Sequence, residues 1–440
     1  MTSSAEKLPL QRPQVCCDYK AKLSGDEFVG LKYENGRLAI NFPLGYKEPR
    51  DEKERRKDIL NLISVISTFS DNRNSFFNKE SFRNKERVEF PIHAYLFVIN
   101  NFLNNGYYIE REPVYKKAAS GKINWSRTIK QIRPQLSDGN IVYLDFITRK
   151  TSHNDAEFIT FVHKYCVHES FSKIGFLFSS FVPPKSELKF NANLFKTVIQ
   201  KKMSQTFNEK EQVLFKNMLD IINYLDSSGQ DKNFYYGTEH FEHVWESLVD
   251  TVFGEPDKEK FYPKCHWVLY DKNGGERQID YSNDVYKKYS LRPDTIMIPD
   301  RGKTEQKIFV LDSKFYKYGV SSVSYDLPGS DSIIKQIAYA EFIEKGNRQI
   351  PKDVLRNLNK SEIYNAFILP FDKKDGDDFE CFGYANCDSY SGKKYHKIYG
   401  ILIDVKSIMR RHIPRDKALI SELSQKILSS YRLFNSSPML

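Results

Sequence analysis

Residues 291–316 read LRPDTIMIPDRGKTEQKIFVLDSKFY, and this stretch decides the fold of the C-terminal half. It contains two short runs of β-branched, aromatic and other apolar residues, TIMI at 295–298 and KIFVL at 307–311. Between them lies PDRGKTEQ, which holds Pro, Asp and Gly. Such runs on either side of turn residues are typical of adjacent antiparallel strands. The sequence therefore predicts a β-hairpin, with Asp300 as a residue of its turn.

Polar residues stand at neighbouring ends of the two predicted strands. Asp294 precedes the first strand, and Asp312 and Lys314 follow the second. In antiparallel strands the start of one lies beside the end of the next, and alternate residues share a face. We therefore expect the three side chains to converge. They could instead form ordinary surface ion pairs, but Asp312 follows a run that looks buried, where an unpaired charge costs several kcal/mol.

Two carboxylates beside a lysine suit the hydrolysis of a phosphodiester bond. Asp294 and Asp312 would bind Mg²⁺ through oxygen ligands, with Mn²⁺ as a substitute. The metal would lower the pKa of a bound water, and Lys314 would orient that water or stabilise the phosphoryl oxygens. Arg292 stands two residues before Asp294 and is expected to help bind phosphate.

Two predicted helices flank this hairpin. TEHFEHVWESLVDTVFG at 238–254 has apolar residues at helical spacing, and Glu246 lies at the edge of that stripe, within expected reach of a metal. In DSIIKQIAYAEFIEKG at 331–346, three side chains are expected to project near one another: Lys335, Gln336 and Tyr339. The alternative is that these are solvated surface residues.

The order of these motifs resembles a known nuclease pattern. RPD at 292–294, LDSK at 311–314 and a helix with KQIAY at 335–339 are similar to the PD-(D/E)xK nuclease superfamily. Within it the chain resembles LlaJI-type restriction endonucleases and McrC-like nuclease subunits. The resemblance covers roughly residues 30–345 and includes GKINWSRTI at 121–129, DAEFITFVHKY at 155–165 and FEHVWESLV at 241–249.

The resemblance assigns roles to individual residues. It implies that Asp294 and Asp312 are metal ligands, that Lys314 is the catalytic lysine and that Glu246 is a further metal ligand. The residues implied to contact the DNA backbone or the active site are Lys335, Gln336 and Tyr339. Other branches of the superfamily place the Gln and Tyr four residues apart, whereas here they are three apart.

The domain organisation follows from length and composition. A chain of 440 residues is too long for one ordinary core, and a Ser/Gly/Asp-rich stretch near 226–237 indicates a boundary. We predict a mixed α+β (α/β) protein. Residues 1–230 would form an N-terminal α+β domain, and residues 231–440 a PD-(D/E)xK nuclease domain with a central mixed sheet flanked by helices.

The N-terminal half contains a basic segment, YKKAASGKINWSRTIKQIR at 115–133. Basic residues with an interleaved aromatic bind phosphates and stack on bases, so we predict DNA contacts from Lys122, Trp125 and Arg127. An alternative is a strand–turn–strand with a buried tryptophan and solvated lysines. The resemblance offers a third interpretation, in which this half docks on a McrB-like AAA+ GTPase motor subunit.

Composition limits the partners. A net charge of +10 favours a polyanion such as double-stranded DNA. The chain lacks an apolar run of about 18 residues and a signal-peptide pattern, so we expect a cytoplasmic protein without a membrane partner. It also lacks a phosphate loop, so a nucleotide-driven step would need another chain.

These observations predict a Mg²⁺-dependent DNA endonuclease of a restriction–modification system in phage defence, acting with the motor subunit. The alternatives are a stand-alone Type II restriction enzyme and a non-catalytic subunit that binds DNA or regulates the motor. Homodimer formation stays open.

Overall fold

The computed structural model describes residues 14–17, 28–34, 37–71, 90–118, 120–137, 140–154, 158–179, 181–228, 233–265, 267–277, 291–373 and 376–436. The described residues divide into two compact units. The first unit falls within Arg87–Lys232, and the second combines parts of Arg12–Glu86 with parts of Asn233–Leu440. Within the described ranges, no helix is both long and apolar enough to cross a membrane.

The second unit begins with three strands and a helix: β1 (Gln14–Cys17), β2 (Val29–Glu34), β3 (Arg37–Phe42) and α1 (Glu52–Asp71). The sequence predicts a hairpin around Asn35-Gly36, and β2 and β3 do pair antiparallel on either side of it. The two turn residues themselves lie outside the described residues.

The first unit follows in the chain. Its elements are α2 (Ile92–Asn105), β4 (Glu110–Ala118), α3 (Trp125–Gln131), β5 (Gln135–Ser137), β6 (Asn140–Val142), β7 (Phe146–Asn154), α4 (Phe158–Ile174), α5 (Ala192–Gln205) and α6 (Glu209–Ser227). Helices α2, α4 and α6 share a core of fully buried side chains that includes Val98, Val167 and Met218. β4 and β7 form an antiparallel ladder, and β5 and β6 form a separate hairpin.

The remaining elements return to the second unit. They are β8 (Phe234–Thr238), α7 (Phe241–Phe253), β9 (Leu269–Tyr270), β10 (Glu276–Arg277), β11 (Thr295–Met297), β12 (Lys307–Ser313), α8 (Tyr318–Ser321), α9 (Ser330–Lys345), α10 (Lys352–Leu355), β13 (Glu362–Phe371), β14 (Phe379–Ala385), β15 (Ile398–Asp404), α11 (Val405–Arg410) and α12 (Lys417–Ser436). A 3₁₀ turn, Lys258–Phe261, follows α7.

The division into units differs from the predicted domains 1–230 and 231–440. The reason is a sheet with the order β1-β3-β2-β8, in which an N-terminal strand pairs with the strand that follows the first unit. Gly30 and Gly237 are partners in this pairing, and a Cβ on Gly30 would lie 2.2 Å from the carbonyl oxygen of Tyr236. The early strands therefore belong to the C-terminal unit. The DNA-binding or motor-docking role of the N-terminal half stays a prediction.

A five-stranded mixed sheet with the order β11-β12-β13-β15-β14 forms the centre of the second unit. β11 and β12 pair antiparallel with Thr295 opposite Leu311, which confirms the hairpin predicted at 291–316. Asp300 lies in its turn and pairs with Lys303 at 2.6 Å. β12 runs parallel to β13, and the intervening segment carries α9, as parallel pairing requires a crossover. The predicted mixed sheet with flanking helices is confirmed.

Four strands of this sheet are buried on both faces, whereas the edge strand β14 is largely half-buried or exposed. Every residue of β15 is buried, as are all but the first residues of β12 and β13, which is typical of a sheet covered by helices on each side. Ile337, Ala340 and Ile343 of α9 pack on the strands. Tyr431 of α12 contacts the rings of Tyr364 and Tyr399. This packing fixes the end of β12, where the candidate site lies.

Candidate active site

Asp294, Asp312 and Lys314 meet where β12 ends beside the start of β11. The ammonium of Lys314 lies 2.9 Å from Asp312 Oδ2. The side chains of Asp294 and Asp312 are within hydrogen-bonding reach of each other. The backbone N–H of Ser313 donates to Asp294 Oδ2 at 2.8 Å. The structure thus brings together the three residues that the sequence places at one edge, while their catalytic roles stay predictions.

The parallel neighbour of β12 holds this arrangement in place. The ladder between β12 and β13 runs through Asp312 and Ser313, and the N–H of Lys314 continues it by donating to the carbonyl of Ile368 at 2.8 Å. Because the backbone is hydrogen-bonded through Lys314, period-2 alternation sets Asp312 and Lys314 on one face. Only 12% of the Asp312 side chain and 19% of the Lys314 side chain are exposed.

Burial shapes the protonation of the site. Burial, together with the negative charge of Asp312, raises the pKa of Asp294 from 3.8 to about 9. Burial lowers the pKa of Lys314, but Asp312 and Asp294 more than offset this, so that its pKa is raised. The lysine therefore stays charged near neutral pH, and the carboxylate pair binds a proton between its members.

The chemistry of this donor set fits a hard divalent cation. Two buried carboxylates that repel each other when both are ionised supply the oxygen ligands that Mg²⁺ and Mn²⁺ prefer. Within the described part of the chain, however, no group of three or more His, Cys, Asp or Glu side chains lies close enough to hold a metal. In this conformation Asp294 and Asp312 would hold a metal as a two-carboxylate site, with further ligands from water or substrate.

Glu246 of α7 lies near this pair without completing a three-ligand cluster. Burial raises the pKa of Glu246 above its ordinary value, His243 and Lys314 partly offset this rise, and Asp312 adds to it. Glu246 therefore interacts electrostatically with both Asp312 and Lys314. Its carboxylate lies 3.8 Å from the His243 ring, and 44% of the side chain is exposed. The structure thus places Glu246 beside the site, and its role as a third metal ligand stays a prediction.

Of the three helix residues predicted to project together, only Lys335 is exposed, whereas Gln336 and Tyr339 are buried. Gln336 is completely buried and donates from Nε2 to the carbonyl of Val310 at 2.6 Å, so it cannot touch DNA in this conformation. Lys335 is exposed and lies 3.7 Å from Asp331. The expectation that Lys335 projects together with Gln336 is wrong, because adjacent helix residues do not face each other.

Tyr339 is buried and belongs to the neighbourhood of the carboxylates. Burial, with the charges of Asp312 and Asp294, raises its pKa to about 12, so its hydroxyl keeps its proton. The backbone N–H of Arg292 donates to this hydroxyl, which fixes the chain just before Asp294. The Arg292 side chain is exposed, as a phosphate contact would require.

The basic segment of the first unit begins in β4, which ends at Ala118, and continues into the helix α3, so the alternative with a second strand is wrong. Asn124 caps α3 by accepting the N–H of Arg127 at 3.0 Å. Trp125 is 53% exposed, so the alternative with a buried tryptophan is wrong. Arg127 lies over the Tyr115 ring, 3.9 Å from its centroid, and Lys122 is exposed. Exposure leaves these residues accessible to a partner.

Sequence reasoning missed the residues that support Asp294 from the far side. Lys258 donates to the backbone carbonyl of Asp294 at 2.5 Å and pairs with Asp250 at 2.7 Å. Asp250 stands four residues after Glu246 and therefore on the same face of α7, a signal that could have revealed it. Lys258 carries no such signal, because it lies in a 3₁₀ turn after the helix, outside the periodic pattern of α7.

The sequence is similar to those of known restriction proteins. The profile of the LlaJI restriction endonuclease family matches residues 28–427. The Bacillus subtilis (strain 168) protein described as "Type II restriction enzyme BsuMI component YdjA" is 24% identical over 428 residues, which cover 93% of this chain and 84% of that protein.

Among solved structures, a match is found in the complex of Thermococcus gammatolerans McrB AAA+ hexamers with bound McrC, at 12% identity and a TM-score of 0.35, covering 90% of this chain and 83% of that chain. That score is too low to support any conclusion about function. The family profile, by contrast, extends from β2 in the N-terminal part to α12 at the C-terminal end. Because it spans most of the sequence, the chain belongs to the LlaJI restriction endonuclease family.

Proposed function

We propose that this protein is a Mg²⁺-dependent endonuclease that hydrolyses phosphodiester bonds in double-stranded DNA. The observation that carries the proposal is the buried pair of Asp294 and Asp312 with the Lys314 ammonium 2.9 Å from Asp312. Membership of a restriction endonuclease family supports the choice of DNA as substrate. The PD-(D/E)xK assignment is part of the same proposal.

Each residue of the site has a separate proposed role. Asp294 and Asp312 would hold the cation, which when bound polarises the phosphoryl group and lowers the pKa of a water molecule. Ser313 fixes one oxygen of Asp294 through its N–H, so the carboxylate is oriented before substrate arrives. Lys314 keeps its proton and can donate a hydrogen bond to a phosphoryl oxygen or to the attacking water.

We propose further that the chain acts with an AAA+ GTPase subunit. The resemblance to McrC-like subunits supports this, and the Bacillus subtilis relative is itself described as a component of an enzyme. A stand-alone Type II enzyme and a non-catalytic subunit are the alternatives. We propose that the exposed residues around α3 are the part of the first unit that contacts a partner. DNA is preferred over the AAA+ subunit as that partner because the segment is basic.

Plasmid cleavage tests the proposed activity. We expect linear or nicked product with Mg²⁺ or Mn²⁺ and none with EDTA, and we expect cutting to require GTP and a candidate AAA+ subunit. Cutting by the purified chain with Mg²⁺ alone would favour the stand-alone enzyme. Tight DNA binding with no cutting under any of these conditions would contradict the nuclease proposal and favour a non-catalytic subunit.

The role of α3 can be tested through salt dependence. Replacing Lys122 and Arg127 together by Ala should weaken DNA binding and reduce the slope of log affinity against log salt by about 0.9 for each phosphate that is no longer neutralised. Lys201→Ala, which removes an exposed lysine from α5 of the same unit, serves as the control. An unchanged affinity for DNA with a weakened interaction between the chain and the AAA+ subunit would instead assign this surface to motor docking.

A further inference from the structure

β11 is one of the two edge strands of the central sheet, and Asp294 immediately precedes it. In an antiparallel pair, alternate residues direct their backbone groups to the partner strand or away from it. The carbonyls of Asp294 and Ile296 point away from β12, since their partners lie in the segment after α7. An edge only three residues long needs such partners to keep its position.

The segment after α7 supplies these partners. The N–H of Glu255 donates to the carbonyl of Ile296 at 2.8 Å, and the Lys258 ammonium donates to the carbonyl of Asp294 at 2.5 Å. Lys258 is in turn held by Asp250 Oδ2 at 2.7 Å. The other oxygen of Asp250 accepts the hydroxyl of Thr295 at 3.2 Å, so one carboxylate ties α7 to both the lysine and the strand.

We propose that Lys258, anchored by Asp250, is a positioning residue that fixes the backbone of Asp294 and thereby holds its carboxylate against Asp312 for cation binding. The inference rests on the proposed metal-dependent function. Lys258 donates to the backbone rather than to the carboxylate, so it restrains Asp294 without occupying its metal-binding oxygens. The restraint matters because the two carboxylates repel each other when both are ionised.

The geometry distinguishes this role from general stabilisation. Lys258 is 24% exposed and Asp250 is 28% exposed, so solvent screens part of their ion pair and reduces its contribution to the free energy of unfolding. The Lys258 ammonium acts on the backbone carbonyl of Asp294, which is itself a proposed metal ligand. Changes to partners that orient metal ligands typically cost about 10–100-fold in metal affinity or activity.

The test compares variants of Lys258 with a matched control two residues away. Lys258→Met should lower the affinity for Mn²⁺, measured by titration calorimetry, by about 10-fold, and should lower kcat for DNA cleavage with little change in KM. Lys258→Arg should restore most of both, because a guanidinium can still donate to the carbonyl. Lys260→Met, which removes an exposed lysine paired with Asp257 at 3.5 Å, should behave as wild type.

A second variant keeps the test decisive if Lys258→Met does not fold. Asp250→Asn retains Lys258 but weakens its anchor, and it should also reduce Mn²⁺ affinity. Suppose that the wild-type protein both binds Mn²⁺ and cuts DNA. The inference is then overturned if a folded Lys258→Met binds Mn²⁺ as tightly as the wild-type protein does. If Lys258→Met does not fold, the same result for Asp250→Asn overturns it. A wild-type protein that neither binds Mn²⁺ nor cuts would overturn the proposed function itself.

Discussion

Replacing Lys314 or Asp312 by Ala should abolish DNA cleavage while leaving binding to DNA or to the partner subunit intact. Lys314→Ala removes the charged donor beside the carboxylates, and Asp312→Ala removes a proposed metal ligand together with the ion-pair partner of Lys314. Loss of one preorganised group that stabilises a transition state typically costs about 10²–10³-fold, so we expect at least this drop in the cleavage rate.

The measurement is the initial rate of plasmid cleavage, with DNA affinity measured in parallel. Lys303→Ala is the control, since Lys303 is an exposed lysine of the hairpin turn, where it pairs with Asp300 at 2.6 Å. If both Lys314→Ala and Asp312→Ala cut at the wild-type rate, the assignment of this site fails. If both lose DNA affinity in step with activity, the residues would bind substrate rather than carry out chemistry.

The substitution Asp294→Asn should inactivate the enzyme and yet stabilise its metal-free form at alkaline pH. The amide oxygen can still accept the N–H of Ser313, and the amide group can donate to Asp312. The substitution removes a carboxyl group whose pKa is raised to about 9 by burial and by the charge of Asp312. One repulsive charge is thereby removed from a buried pair.

The sign of the pH effect follows from linkage. Because the folded protein holds the Asp294 proton more tightly than the unfolded chain, the contribution of Asp294 to the stability of the metal-free wild type is fully present below pH about 4 and is lost as pH rises towards about 9. In EDTA, Asp294→Asn should therefore melt about 2–4 °C above wild type at pH 8 and close to wild type at pH 5. Asp300→Asn, an identical change in the exposed hairpin turn, should show no such difference. Equal pH slopes for wild type and Asp294→Asn would contradict the coupling.

Much of the fold near the site follows from short-range patterns. The runs before Asp300 and after Gln306 have the composition of strands, and the segment between them has the composition of a turn, so the pairing of Thr295 with Leu311 could be predicted. The meeting of Asp294 with Asp312 then follows from antiparallel geometry. Local periodicity also predicted α7 and α9 within a few residues.

What could not be predicted depends on contacts distant in sequence. The burial of Gln336 arises because its side chain reaches the carbonyl of Val310 on another element, and the helical pattern alone does not show which face meets the sheet. Lys258, in the 3₁₀ turn after α7, contacts Asp294 across 36 residues of sequence. The pairing of β2 with β8 joins strands separated by the whole first unit, which no local signal reveals.

That pairing has a consequence for the order in which the protein is made. When the ribosome has synthesised the first unit, β2 and β3 are present but β8 and the central sheet are not. Arg410, which pairs with the buried Asp58 at 2.7 Å, joins later still. During synthesis of the first unit, β2 therefore lacks its partner strand β8. The second unit can be completed only when synthesis of the chain is nearly finished. A prematurely terminated product ending before β12 lacks Asp312 and Lys314, so under the proposed function truncated chains pose no cleavage hazard to the host DNA.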